Sequence, residues 1–276
     1  MKNILLLLIL AFAFQSCVDK TQKINQTSKG VTEKQETQQT VNIRDTTEIP
    51  TPTDEMVDEF YQAIFKNDNK KVRQMLETVF PATYEPKNKI SPLQAVIWTS
   101  DNVYLTKLFV EAGANINKKE KPLIVVAAEY GRLEILKYLI ENGASVENNG
   151  AFNKAGFHQF YECAKLLLLN GANQEIGDVR GKLWVFEQAV IKSDYEVLNK
   201  LKLTSEELNS NNCDGETALI IAVKQNHVEM VKFLLNKKVD KNKPETFNCG
   251  DDISYGKTPV QIARINNFKE IVLLLE

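Results

Sequence analysis

The feature that most constrains this chain is that it repeats. From Asp54 onward a pattern of about 30 residues returns, and a period of that size governs the whole architecture, so it is read before any local motif. The clearest copy is KPLIVVAAEYGRLEILKYLIENGASV, Lys121 to Val146: a short turn, a helix around the pair Ala127 and Ala128, a tight glycine-centred turn, a second helix rich in Leu and Ile, and Gly-Ala as a stop. Good copies run from Ser91 to Asn117, with one extra residue between the helices, and from Asp214 to Asp240. Looser ones occupy Ala63 to Leu76, Gly150 to Asn173, Lys182 to Leu201 and Gly256 to Glu276. In the second helix of the clearest unit, Leu133, Leu136, Leu139 and Ile140 recur at three- and four-residue spacing. That makes an apolar stripe which one helix pair cannot cover alone, so neighbouring units must stack.

These units resemble ankyrin repeats. The resemblance spans residues 54–276 and implies an all-α ankyrin-repeat solenoid of about seven helix-turn-helix units. The alanine pair is expected to let first helices approach closely, and Gly113, Gly143 and Gly171 to close the second helices in a left-handed conformation. In this family, partners usually meet the concave side, at loop tips and at the exposed end of each first helix just after the alanine pair. Carried over unit by unit, the first such position holds Phe65, Trp98, Glu129, Phe157, Ile191, Lys224 and Ile265. The second holds Lys66, Thr99, Tyr130, His158, Lys192, Gln225 and Asn266. A large apolar residue stands at the first position in four of the first five units, with Tyr130 beside Glu129 in the other, as an interface hot spot requires. The implied function is a non-catalytic protein-protein interaction module with a protein partner. The histidine that braces the opening turn in well-matched repeats is replaced by Gln94, Val125, Asn153, Ile220 and Gln261, which predicts less rigid turns. The segment between about Gly177 and Asn212, least regular and lacking a stop glycine, is expected to be the weakest junction.

The N-terminal region differs in kind. Lys2 is followed by an apolar run from Ile4 to Phe14 and then Ser16-Cys17, too short to span a bilayer but suited to a signal core. It resembles a bacterial lipoprotein signal, with residues 1–16 removed and Cys17 acylated; cleavage after the Ala11-Phe12-Ala13 pattern is the alternative. Residues 17–53, rich in Gln, Thr, Lys and Asn, lack periodic apolar residues and read as a disordered tether. The expected location is therefore exported, in the bacterial cell envelope, held to the membrane by lipid.

Little in the chain points to catalysis. The stretch GDDISYGKTP, Gly250 to Pro259, imitates a phosphate loop, but five residues separate Gly250 from Gly256, and Asp251 and Asp252 would repel phosphate; Gly256-Lys257-Thr258 reads as the turn that opens the last unit. A net charge of -2, with basic and acidic residues interleaved, gives no field for nucleic acid. The two histidines, His158 and His227, have no Cys or carboxylate neighbours at ligand spacing, so neither a metal site nor a cofactor is expected. Cys163 is expected in the core, whereas Cys213 and Cys249, in loops of consecutive units, are candidates for a disulfide. Three rivals to simple partner binding remain: an envelope enzyme with a site in the irregular middle around His158, Glu162, Glu187 and Asp194; a toxin-immunity protein; and a lipoprotein that contacts envelope polymer.

Overall fold

The chain is described by a computed structural model over residues 52–87, 89–120, 122–247 and 254–276. Residues 1–51, with the expected signal, Cys17 and most of the expected tether, lie outside the described residues, as do 248–253 with Cys249. Every regular element among the described residues is a helix. Seven pairs follow one another: α1 (Asp54–Phe65) with α2 (Asn69–Thr78), α3 (Pro92–Thr99) with α4 (Val103–Glu111), α5 (Leu123–Glu129) with α6 (Leu133–Glu141), and α7 (Ala151–Phe157) with α8 (Tyr161–Leu169). Next come α9 (Val179–Ile191) with α10 (Tyr195–Lys200), a single extra turn α11 (Ser205–Leu208), α12 (Ala218–Lys224) with α13 (Val228–Asn236), and α14 (Pro259–Ile265) with α15 (Lys269–Leu275). First helices pack on first helices along the stack from α1 to α14, and second helices form a parallel row, the quasi-linear arrangement expected of a solenoid.

The turn inside six of the seven pairs has one recurring requirement, which the α3–α4 turn does not share. Asn67, Gly131, Gln159, Ser193, Asn226 and Asn267 all take φ between 52° and 65°, each two residues past the end of its first helix. Only one of the six is glycine, so the turn is centred on a left-handed residue and most units accept the strain of a side chain there. After the second helices, Gly113, Gly143 and Gly171 are left-handed as expected. At Gly143, the residue's own N–H reaches the Ile140 carbonyl at 3.0 Å and the Ala144 N–H reaches Leu139 at 2.9 Å, closing the open carbonyls of α6. The apolar stripe of α6 centres on Ile135, Leu136 and Leu139, all fully buried, with Leu133 and Ile140 half-buried at its margins. Ala127 and Ala128 are fully buried.

Three of the residues in the bracing position, where less rigid turns are expected, make hydrogen bonds of their own. Gln94 and Ser91 exchange bonds at the start of α3, each 3.2 Å, and Gln261 accepts from the Thr258 N–H at 2.9 Å. Asn153, buried in α7, donates through Nδ2 to the carbonyls of Gln174 and Ile176, at 2.7 and 2.9 Å. Val125 and Ile220 cannot, and the α12 turn relies on the Thr217 hydroxyl, which accepts from the Ile220 N–H at 3.2 Å.

The segment 177–212, expected to be the weakest junction, makes close contacts with its neighbours. A Cβ added at Gly156 would lie 2.3 Å from the Gly181 carbonyl oxygen, and one at Gly181 would lie 2.0 Å from that of Asn153, so α7 and α9 meet backbone to backbone. Lys182, 1% exposed, bonds Glu175 at 3.0 Å, Glu207 at 2.6 Å and the Lys202 carbonyl at 3.3 Å, which satisfies all three of its protons. The buried Gln174 accepts from the Lys202 N–H and donates to the Lys200 carbonyl, at 2.8 and 3.1 Å. Side chains thus hold the chain where a stop glycine is missing. Hydrogen exchange should show α9 protected comparably to α5 and α6; exchange of its central amides at loop rates would contradict this.

Candidate partner-binding face

The positions singled out in the sequence coincide with one structural landmark. Phe65, Glu129, Phe157, Ile191, Lys224 and Ile265 are each the last residue of a first helix, and Lys66, Tyr130, His158, Lys192, Gln225 and Asn266 are the residues that cap it. Unit 2 is offset by its extra residue, so that Trp98 is one residue short of the end of α3 and Thr99 is its last. A first helix ends at the same level in every unit, which lines these side chains along one edge of the stack. The five apolar members, Phe65, Trp98, Phe157, Ile191 and Ile265, are between 39% and 48% exposed. They are therefore not patches on a poorer core.

Three of the side chains form a continuous ladder. Phe65 meets Trp98 edge-on at 6.4 Å between ring centroids, and Trp98 meets Tyr130 at 6.3 Å. Tyr61, one helical turn before Phe65 and 6.1 Å from it, extends the ladder. Its hydroxyl donates to the Ile90 carbonyl, and burial, followed by the charge of Tyr84 and Glu85, holds that hydroxyl above the ordinary tyrosine value. The repeat register alone misses Tyr61, although its spacing from Phe65 places both on one helix face. The backbone that carries Trp98 is fixed from behind, because Arg132 donates to the carbonyls of Ile97 and Trp98 at 2.9 and 2.6 Å. Beside the ladder a hollow of about 430 Å³ is lined by Tyr61, Phe65, Lys89, Ile90 and Trp98.

Several of the remaining predicted positions enter contacts with charged groups. Glu129 pairs with Lys154 at 3.0 Å and lies 3.7 Å from His158 Nε2. The Phe157 ring carries the Arg180 guanidinium 4.8 Å from its centroid, and the Lys192 ammonium lies 5.4 Å from the Tyr161 ring. Lys224 is held by Glu216 at 2.8 Å and by the buried Glu245 at 2.9 Å; it ties the loop ahead of α14 to α12. Burial works against its charge, but those carboxylates outweigh it and keep the ammonium well above the usual lysine value. Ile191 and Ile265 are exposed, outside the ring contacts of the ladder.

The residues of the enzyme alternative do not converge. Asp194 caps α10 through the Val197 N–H at 3.2 Å and accepts from Lys165 at 2.7 Å and the Tyr161 hydroxyl at 3.0 Å. Burial opposes its charge, but the Lys165 bond prevails and its carboxyl sits below the ordinary value. Glu162 is exposed on α8, and His158 faces Glu129. Of the four, only Glu187 lines the cleft beside α9. No group of three or more His, Cys, Asp or Glu residues suited to a metal ion occurs among the described residues. The Gly256-Lys257-Thr258 stretch is a turn closed by Lys257 N–H on the Ser254 carbonyl at 3.0 Å. Pro259 follows as the first residue of α14, removing an amide that a phosphate would need.

The two described cysteines contrast. Cys163 is buried, and that burial pushes its thiol up to about 12, whereas Cys213 is exposed. Under reducing conditions at pH 8, iodoacetamide should label Cys213 and leave Cys163 untouched until denaturant is added, as read by peptide mass mapping. Equal labelling of Cys163 in the native protein would contradict its placement.

Comparison with known proteins agrees with this geometry. The family model described as ankyrin repeats (3 copies) matches residues 93–178 and 186–276. Similar proteins include an L-asparaginase of Dirofilaria immitis, 24% identical over 155 residues, which are 55% of this chain and 25% of that protein. An ankyrin repeat protein of Acanthamoeba polyphaga mimivirus is 22% identical over 180 residues, 65% of this chain and 20% of that one. One of fowlpox virus (strain NVSL) is 33% identical over 115 residues, 41% and 24% of the two chains. The chain thus spans a quarter or less of the length of these three relatives. The ankyrin repeat domain of human ASB11, known from a crystal structure, matches with a TM-score of 0.50 at 17% identity, covering 79% of this chain and 97% of that one, a likeness of fold. With the matched segments covering more than half of the sequence and the seven stacked helix pairs in place, the chain belongs to the ankyrin-repeat family.

Proposed function

We propose that this protein is a non-catalytic binding module that takes a protein partner on the edge formed by the ends of its first helices, and that it does so exported and lipid-tethered through Cys17 in a bacterial envelope. The observation that carries the binding reading is the exposed ladder of Phe65, Trp98 and Tyr130. Together with Phe157, the exposed parts of Phe65 and Trp98 amount to on the order of 300 Å², and covering them is worth about 7 kcal/mol before the costs of association. The side chains are already in mutual contact and Arg132 fixes the backbone at Trp98, so less ordering entropy is spent on binding. Family analogy supports the reading as well, though fold alone does not fix function.

The test places a photo-crosslinking residue at position 98 and, on a second helix, at Glu134, in the full chain expressed in envelope membranes. One stoichiometric protein is expected from position 98 and none from 134, with at least a tenfold loss of affinity for that purified protein in Trp98→Ala of unchanged circular dichroism. Equal cross-linking from both positions, or a folded Trp98→Ala with unchanged affinity, would overturn it. Tethering is read separately: incorporation of labelled fatty acid should disappear in Cys17→Ala, and a labelled variant would refute acylation at that residue.

A further inference from the structure

Beside α9, where the irregular segment before α12 passes, lies a cleft of about 390 Å³. Its wall combines the rings of Phe157 and Trp184 and the side chain of Ile221 with Glu187, Asn212 and Arg180. The charges in it are unequally committed. Arg180 is bonded to Asp178 through Nε at 3.0 Å and Nη2 at 2.5 Å while it covers Phe157. Glu216, at another edge, is neutralised by Lys224 at 2.8 Å. Glu187 has no ion-pair partner among the described residues.

The polar neighbour of Glu187 in the cleft is a neutral amide, Asn212. Asn212 Oδ1 accepts from the backbone N–H groups of Asp214 and Glu216, at 3.0 and 2.9 Å, which leaves its amide donor free of those bonds in the cleft that Glu187 also lines. Burial first, and then the nearby charges of Asp214 and Glu216, raise the Glu187 carboxyl above its ordinary value. An incoming cation would relieve both. An aromatic face next to an uncompensated carboxylate in a concave site suits a guanidinium or ammonium group, through charge-assisted hydrogen bonding and attraction to the ring.

We infer that this cleft receives the cationic end of an arginine or lysine side chain of the protein partner, between the Glu187 carboxylate and the Trp184 ring. The inference rests on the protein-binding reading above and adds the chemistry of the partner: a basic residue projecting from the segment that lies along the first-helix ends. Arg180 over Phe157 shows, within the chain, the same pairing of a guanidinium with an aromatic face at the cleft edge.

The probe is N-acetyl-arginine methylamide, and the control is its citrulline counterpart, which has nearly the same shape and no charge. The chain contains two tryptophans, so the indole N–H signal of Trp184 can be assigned with Trp98→Phe and followed by NMR. The arginine probe should shift the Trp184 signal with millimolar affinity, the citrulline probe at least tenfold more weakly, and Glu187→Gln should remove roughly tenfold of the arginine affinity without lowering Tm. Equal responses to the two probes, or a folded Glu187→Gln with unchanged affinity, would overturn the inference. Loss of the position-98 cross-link alongside an intact arginine response would sink the aromatic-face reading alone. A specific cross-link with no arginine response would sink the cleft alone.

Discussion

Replacing Gly181 by alanine is expected to destabilise the protein by about 3 kcal/mol or more, and the sign of the effect is the informative part. Gly181 lies inside α9, and at an ordinary helix position glycine to alanine gains about 1 kcal/mol from reduced backbone freedom in the unfolded chain. Here the new methyl would stand 2.0 Å from the Asn153 carbonyl oxygen and 2.8 Å from its carbon. Both atoms are backbone, so no side chain can swing aside, and α7 and α9 must separate along their contact. That separation would also stretch the bonds from Asn153 to Gln174 and Ile176, which adds the cost of buried polar groups left unpaired. Gly113→Ala is the control: no atom lies within 4 Å of its added Cβ, and only its φ of +96° is strained, so about 1 to 2 kcal/mol is expected. Urea unfolding of the two variants measures the difference. A Gly181→Ala protein as stable as the wild type would mean that the helices do not meet as described.

That close contact also marks a limit of what the sequence discloses. Within one unit the signals are local and legible: the buried pair Ala127 and Ala128, the left-handed stop at Gly143, and the position of Trp98 near the end of its helix all follow from neighbours a few residues away. The approach of Gly156 to Gly181 joins residues 25 apart in units that match the repeat poorly, and neither glycine announces its partner. Likewise Gln94, Asn153 and Gln261 read in the sequence as losses of a bracing histidine, because their hydrogen bonds depend on backbone geometry that only the folded turn supplies. The ladder is half legible. Phe65, Trp98 and Tyr130 follow from register, whereas their mutual contact and the contribution of Tyr61 need the actual stacking of the units. Glu187 stands out as a carboxylate in the irregular middle, and Trp184 lies three residues before it on the same helix, but the cleft that joins them to Asn212 depends on the path of residues 202–212, which carries no periodic signal.

The same irregular path sets up the second large effect, at Lys182. Lys182→Met is expected to cost about 3 to 5 kcal/mol at neutral pH, because it leaves the half-enclosed Glu207 carboxylate without its cation, 13% exposed and unable to rehydrate freely. Glu175, 65% exposed on the other side, can return to water and should contribute little. Burial opposes charge at both partners of the inner pair, yet their bond prevails: Lys182 is held above the ordinary lysine value, and Glu207 below the ordinary glutamate value. Because the Glu207 value is depressed on folding, its contribution is complete above the unfolded glutamate value near 4.3 and is lost as pH falls through the lower folded value; because the Lys182 value is raised, its contribution is complete below about 10.4 and is lost as pH rises through the higher one. The stability difference between wild type and Lys182→Met should therefore be flat from about pH 6 to 9 and shrink at both extremes. Replacing both partners, Lys182→Met with Glu207→Gln, should recover most of the loss, since two neutral groups of similar shape carry no stranded charge. Glu207 also accepts from the Thr204 N–H at 2.8 Å, and glutamine keeps an oxygen for that bond. Thermal unfolding of the three proteins across this pH range is the measurement: if the double variant is no more stable than Lys182→Met alone, the cost does not come from an unpaired Glu207, and the ion pair is not what holds the 200–207 segment against α9.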